Sequence, residues 1–249
     1  MAGVRTRVND LTNQVGGKAL QSVEGWMVRY SKVETTPFIS ETSFPWIKKL
    51  EDNAHLIQKE LDEVLQYRDQ LPNFQDISTD QVSITDDDKW KTFFFFGYGF
   101  RSDANCARCP ETAKLLGEVP GLTTAFFSIL SPHKKIPAHR GPWRGVVRCH
   151  LALKIPEPAD DCGISVGGQV AHWVEGKSLV FDDGYEHFAW NDTDGVRVVL
   201  FMDVLRPLRA PGDWANKALI KAIAFSPFVR DGKARHNDWE KRFEAMRNR

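Results

Sequence analysis

Residues 146–205 read VVRCHLALKIPEPADDCGISVGGQVAHWVEGKSLVFDDGYEHFAWNDTDGVRVVLFMDVL. Apolar and β-branched runs at 146–155, 164–166, 170–174, 178–181, 187–190 and 196–205 alternate with turn residues: Pro156 to Pro158, Gly167-Gly168, Glu175-Gly176-Lys177, Asp182-Asp183-Gly184 and Asn191 to Gly195. A run at 122–130 precedes them, and Pro142 marks the turn between. Many short strands of period two, closely spaced by turns, predict a β-sandwich or small barrel.

Upstream of the strands the period is helical. Trp46, Ile47, Leu50, Ala54, Ile57, Leu61, Val64 and Leu65 form an apolar stripe that predicts one helix beginning at Ser43, with Pro45 in its first turn. A polar loop spans 70–88, and the run Phe93 to Phe96 reads as a strand buried on both faces. A shorter helix is predicted from Pro110 to about Leu116, stopped at Gly117. Helical patterning returns from Asp213 and ends in a mildly basic amphipathic stretch, 238–249, which reads as a solvated face.

Composition narrows the function. The 249 residues carry 33 Lys+Arg against 33 Asp+Glu, so the charge excess of a nucleic-acid wrapper is missing. No secretory leader or run of about 18 apolar residues stands out. Only 4 Cys occur, too few for a disulfide framework, and a reducing, cytoplasmic setting is expected. Cys106 and Cys109 read as a loop pair of thiols, because no second close pair completes a zinc site.

The strands carry unusual polar residues. Arg148 and His150 share one strand face, and Arg197 shares a face with Val199 and Phe201. A guanidinium on an inner face needs an anion, supplied either by a local carboxylate such as Asp194 or Asp203, or by a ligand. His139 and His187, each at a strand end beside a turn, can converge on one metal. Two imidazoles for a metal and two arginines for a small diacid is a pattern that suits non-haem iron.

The wording around these residues is more specific than their spacing. HRGPW at 139–143, VRCHLAL at 147–153, WVEGKSLVFDD at 173–183, EHFAWND at 186–192 and RVVLF at 197–201 followed by Asp203 and Val204 resemble the aspartyl/asparaginyl β-hydroxylase family, over roughly 106–207. The resemblance implies an Fe(II)- and 2-oxoglutarate-dependent dioxygenase that also consumes O2, on a mainly β, double-stranded β-helix (jelly-roll, cupin-like) core with flanking α-helices. Together with the pattern along the chain, the expected organisation is a variable N-terminal arm at 1–35, an oxygenase domain at 36–210 and a C-terminal helical extension at 211–249. His139 and His187 are the implied iron ligands. Arg148 and His150 are implied at the C1 carboxylate of 2-oxoglutarate, and Arg197 with Ser128 at its C5 carboxylate. Asp183 is implied as a catalytic aspartate near the metal, acting as acceptor to a metal-bound water rather than as a ligand. Gly141 stands where the common facial triad has its carboxylate, so only two protein ligands are expected.

Hydroxylation of an Asp or Asn residue, or of a related acidic peptide or small molecule, is the first expectation. A hydroxylase of lipid A or another envelope lipid or sugar is the second, with peripheral membrane contact and Arg242, Arg247 and Arg249 as weak support. A non-catalytic 2-oxoglutarate sensor is the third.

Overall fold

The computed structural model describes residues 22–78, 84–141 and 143–247. Residues 1–21 of the expected arm, Pro142 and Arg249 lie outside the described residues. Among the described residues ten strands form two antiparallel sheets. β1 is Trp90–Gly97, β2 Phe100–Arg101, β3 Leu122–Leu130, β4 Lys134–His139, β5 Val146–Lys154, β6 Cys162–Val166, β7 Gln169–His172, β8 Ser178–Phe181, β9 His187–Asn191 and β10 Arg197–Leu205. The six-stranded sheet runs β2-β1-β3-β10-β5-β8 and the four-stranded sheet β4-β9-β6-β7.

From β3 onward the chain crosses between the sheets: β3 in the large sheet, β4 in the small, β5 in the large, β6 and β7 in the small, then β8, β9 and β10 alternately. This winding is the double-stranded β-helix, and β1 and β2 widen its larger sheet. Residues alternate faces along each strand, so each central strand serves two cores. On the outer face of the large sheet, Phe93, Phe95, Phe127, Val147, Cys149, Leu151, Leu200 and Met202 pack under the helices. Between the sheets, Trp90, Leu130, Ala152, Ile164, Val166, Phe181 and Val199 pack together, and the site's polar residues share that inner side.

The helix predicted from 43 to 65 is two helices, α1 (Trp46–Asp52) and α2 (Ala54–Leu65). Asn53 breaks it by turning its side-chain amide onto the Lys49 carbonyl at 2.8 Å, an alternative to helix hydrogen bonding that Asn offers readily. Ser43 lies in a preceding 3-10 turn, Glu41–Ser43. The two cysteines are not in a loop: Cys106 belongs to α3 (Asp103–Arg108), Cys109 joins it to α4 (Pro110–Gly117), and both thiols are buried in the core. Burial raises both thiol pKa values. The C-terminal helices are α5 (Gly212–Ala224) and α6 (Pro227–Arg247). α6 is more than a solvated face, since Trp239 and Phe243 enter the main core and Trp239 Nε1 donates to the Gln70 carbonyl at 2.9 Å. No helix among the described residues is long and apolar enough to cross a membrane.

Candidate active site

β4 is an edge strand whose pairing with β9 slips between Ile136 and His139. The irregularity brings His139 opposite His187, with ring centroids 4.2 Å apart. Each ring is fixed by its own chain: His139 Nδ1 lies 2.8 Å from the Pro137 carbonyl and His187 Nδ1 2.9 Å from the Tyr185 carbonyl. A carbonyl only accepts, so Nδ1 carries the proton in both rings and each Nε2 keeps a lone pair. Burial pushes both pKa values down, aided by the nearby Arg148 charge, and His187 falls to about 3. The pair is therefore neutral at physiological pH, the form in which imidazole binds a metal. Among the described residues no group of three or more His, Cys, Asp and Glu side chains is placed to hold a metal.

The reason for a glycine at 141 is steric. A Cβ there would stand 2.0 Å from Asp183 Oδ2: the Asp183 carboxylate fills the space a side chain would need, and the Gly141 amide donates to the Asp183 carbonyl at 2.8 Å. Asp183 is wholly buried, and neither side-chain oxygen has a hydrogen bond. Its nearest cation is Arg148, with Nη2 2.9 Å from Oδ2 at ion-pair distance. Burial pushes the Asp183 pKa up to about 7 against the pull of Arg148. Arg148 spends its fork on Asp203, directly across the β5–β10 register, at 2.9 and 3.1 Å, and lies 4.3 Å from the Phe201 ring centroid.

At the other end the charge is unanswered. Arg197 is 2% exposed. Its Nη1 reaches Ser128 Oγ at 3.4 Å, its Nε has no partner, and its guanidinium lies 4.7 Å from the Trp173 ring centroid. No carboxylate pairs with it among the described residues, and burial lowers its pKa to about 10. Ser128 Oγ also accepts from Trp90 Nε1 at 3.0 Å, which leaves the hydroxyl proton free to donate. His150 sits between the two ends, wedged among Trp173, Phe181 and Phe201 with both ring nitrogens unpartnered. Burial, then the charges of Arg197 and Arg148, holds it neutral. Trp173 Nε1 is unpartnered too. Buried polar groups are normally paired, so this concentration of orphans inside one barrel marks a ligand seat.

The structure thus gathers His139, His187, Asp183, Arg148, His150, Arg197 and Ser128 between the two sheets. Asp203 answers Arg148, whereas Asp194 turns outward to His133 at 3.0 Å. The sequence reading missed the support behind Asp183. Asp182 takes Arg144 Nη2 and Arg206 Nη2 at 2.6 Å each and accepts from the Gly184 amide at 3.0 Å. This buried cluster fixes the turn that carries Asp183 and leads into His187. The Arg144 and Arg206 side chains come from distant loops, which no local pattern connects.

Residues 51–207 match the family described as aspartyl/asparaginyl beta-hydroxylase. The chain belongs to this family. Its relatives within it differ in kind. An ornithine lipid ester-linked acyl 2-hydroxylase from Rhizobium tropici is 48% identical over 230 residues, covering 91% of this chain and 82% of that protein. An aspartate beta-hydroxylase domain-containing protein 2 from Mus musculus is 38% identical, covering 51% of this chain and 39% of its own. The aspartyl/asparaginyl beta-hydroxylase of Homo sapiens is 31% identical, covering 66% of this chain and 22% of that one. The chain therefore spans well under half the length of the two animal relatives and most of the bacterial one. This member of a hydroxylase family has two facing histidines in the polar interior of its barrel.

Proposed function

We propose that this chain is an Fe(II)- and 2-oxoglutarate-dependent hydroxylase acting on the acyl chain of a membrane lipid. The observation that carries the cosubstrate reading is Arg197, a buried guanidinium with no carboxylate partner among the described residues, facing the same interior as two neutral histidines. The residues present fit both groups: His139 and His187 would hold the metal through Nε2, and Arg197 with the Ser128 hydroxyl would hold the far carboxylate of the diacid. His150 and the Arg148 charge lie on the near side. When bound, iron and 2-oxoglutarate supply the oxidising power to place one oxygen of O2 into a C–H bond.

The chain's own part is placement and charge. The carbonyls of Pro137 and Tyr185 hold the two ligand rings in one tautomer. Arg197 and Ser128 select a carboxylate at a fixed distance from them, and Trp173, stacked on Arg197, keeps water from that end. Arg148 is already committed to Asp203 and Asp183, so it holds these two carboxylates in place rather than serving as a free receptor. The buried Asp183 carboxylate, ion-paired to Arg148 through Oδ2 and without a hydrogen bond on either oxygen, keeps acceptor capacity beside Gly141, at the position left without a ligand, where it can orient a water.

For the substrate, the match over 91% of this chain to a protein named for acyl 2-hydroxylation outweighs the shorter match at 31% identity to the aspartyl/asparaginyl beta-hydroxylase. This reverses the order expected from sequence, where an Asp or Asn residue came first. The test supplies Fe(II), 2-oxoglutarate and O2 with detergent-dispersed ornithine lipid, and in parallel with Asp- and Asn-containing peptides. Succinate release coupled to a lipid gaining one oxygen in its acyl chain supports the reading. A hydroxylated peptide with unchanged lipid restores the Asp/Asn reading, and binding of 2-oxoglutarate without succinate in any mixture makes the barrel a sensor.

A further inference from the structure

We infer that the outward face of α5 is a docking surface for an anionic lipid bilayer, held rigidly beside the active site. The inference rests on the lipid reading for its biological sense, but the surface itself is defined by geometry and charge. Eight large hydrophobic side chains stand out as exposed among the described residues, and four of them fall on two packed helical segments: Val23 and Trp26 on 22–28, and Trp214 and Phe225 on α5 and its C-cap. Trp214 and Phe225 are the most exposed of all, at 70% and 72%.

The outward stripe of α5 runs Trp214, Lys217-Ala218, Lys221-Ala222, Phe225, at helical spacing, and all six are exposed. It has an aromatic ring at each end, two lysines between them, small alanines elsewhere and no acid. Over 209–225 the only acidic residue is Asp213, which pairs with Lys217 at 2.8 Å, against Arg209, Lys217 and Lys221. An ordinary solvated helix face mixes both signs. Aromatic rings at headgroup depth and lysines whose stems lie along apolar surface while their ammonium groups reach phosphates are what a bilayer surface accepts. Excess positive charge selects an anionic leaflet.

The inward face of α5 is fastened to the loop that follows His139. Asn216, 1% exposed, accepts from Trp143 Nε1 at 2.8 Å and donates to the Gly145 carbonyl at 2.7 Å. Met27, Trp143 and Leu208 form a small core against Leu219 and Ile220 of α5. Segment 22–28 is bound to the same loop, because Glu24 Oε1 accepts from the Arg144 amide at 3.1 Å. The exposed aromatics therefore sit on a plate whose underside grips residues 143–145, two to six positions beyond Gly141 and His139, so docking this plate orients the catalytic loop relative to the membrane.

The test is flotation of the full chain with vesicles of phosphatidylcholine alone and of phosphatidylcholine with phosphatidylglycerol. Wild type binds the anionic vesicles more tightly than the neutral ones. Trp214→Ser with Phe225→Ser, and separately Lys217→Glu with Lys221→Glu, each weakens anionic binding about tenfold or more, with unchanged thermal unfolding. Val174→Ser with Phe188→Ser, exposed apolar residues elsewhere, leaves binding as it was. Unchanged binding in the α5 variants overturns the inference, as does loss of binding on deletion of residues 1–21 alone, or a dimer in solution that the α5 substitutions dissolve. Lipid turnover separates the two readings. An α5 variant that hydroxylates detergent-dispersed lipid normally but fails on vesicles supports the docking role. A wild type that binds vesicles through α5 yet hydroxylates no lipid leaves the surface standing and removes the lipid substrate.

Discussion

Arg148 and Arg197 sit on adjacent strands of one sheet and face the same interior, Arg197 fully buried and Arg148 mostly so, yet the chain treats them differently. Arg148 has Asp203 in a two-point grip and Asp183 at ion-pair distance, and its pKa is raised. Arg197 has one long hydrogen bond to a serine, the neighbouring Cys162 thiol and an aromatic face, and its pKa is lowered by burial. Removing a guanidinium from water without a counter-charge is costly. A fold keeps such a residue when a ligand completes it, whereas a cation already neutralised by its own chain holds structure together. The two arginines read alike in sequence, and the difference between them divides the pocket into a self-neutralised end beside the two histidines, the proposed metal end, and an end without a carboxylate, the proposed anion end.

The largest effect expected is at the metal end. His139→Ala and His187→Ala each remove one of the two proposed metal ligands, so iron-dependent succinate formation should fall to background while the far-ultraviolet circular dichroism spectrum is kept. Iron bound at wild-type stoichiometry in either variant would move the metal elsewhere. Next comes Arg148→Met, which strands Asp203 and Asp183 as buried carboxylates without a cation. Breaking a buried pair from one side costs about 3–5 kcal/mol, to be read as a lower urea midpoint. A midpoint equal to wild type would mean that Arg148 is no more committed to its own carboxylates than Arg197, and the contrast would fail.

Arg197→Met reverses the pattern. No carboxylate loses a partner, so the ligand-free protein should unfold at the wild-type midpoint or above it. The apparent affinity for 2-oxoglutarate should fall about a hundredfold, since losing one side of a buried charge pair costs about 3 kcal/mol. A stability loss as large as that of Arg148→Met, with unchanged cosubstrate affinity, would show an ordinary structural arginine.

Much of this was readable before the structure, and the failures have physical causes. β3 and β8 begin and end where alternation meets Gly and Asp turns, and the structure reproduces their bounds. His139 reads as a strand end, but the extent of β4 was not legible because Lys134, Lys135, Pro137 and His139 leave no apolar alternation; its place at a sheet edge lets Pro137 stand in a strand. The burial of α6 was legible in principle, since His236, Trp239 and Phe243 recur at helical spacing, but the charges around them dominated the reading. The paired acid of Arg148 was one of two weighed, and register decides between them, because Asp203 faces Arg148 across the β5–β10 ladder while Asp194 lies beyond the strand. The Arg144–Asp182–Arg206 cluster had no sequence signal, as its parts meet only once loops 140–145 and 182–185 and the end of β10 are folded together.

The smallest effect tests how the anion end is tuned. Ser128 Oγ accepts from both Trp90 Nε1 and Arg197, and these two acceptor bonds point its proton away from both donors. If that proton serves a bound carboxylate, Ser128→Ala should weaken 2-oxoglutarate by about tenfold, one hydrogen bond to a charged group being worth about 1.5 kcal/mol. It should also destabilise the ligand-free protein slightly, because the buried Trp90 N–H loses its acceptor. Ser128→Thr keeps the hydroxyl and should restore the affinity where the added methyl is accommodated. If Ser128→Ala lowers stability but leaves cosubstrate affinity unchanged, the serine acts only as a strut for Trp90, and Arg197 alone makes the anion end.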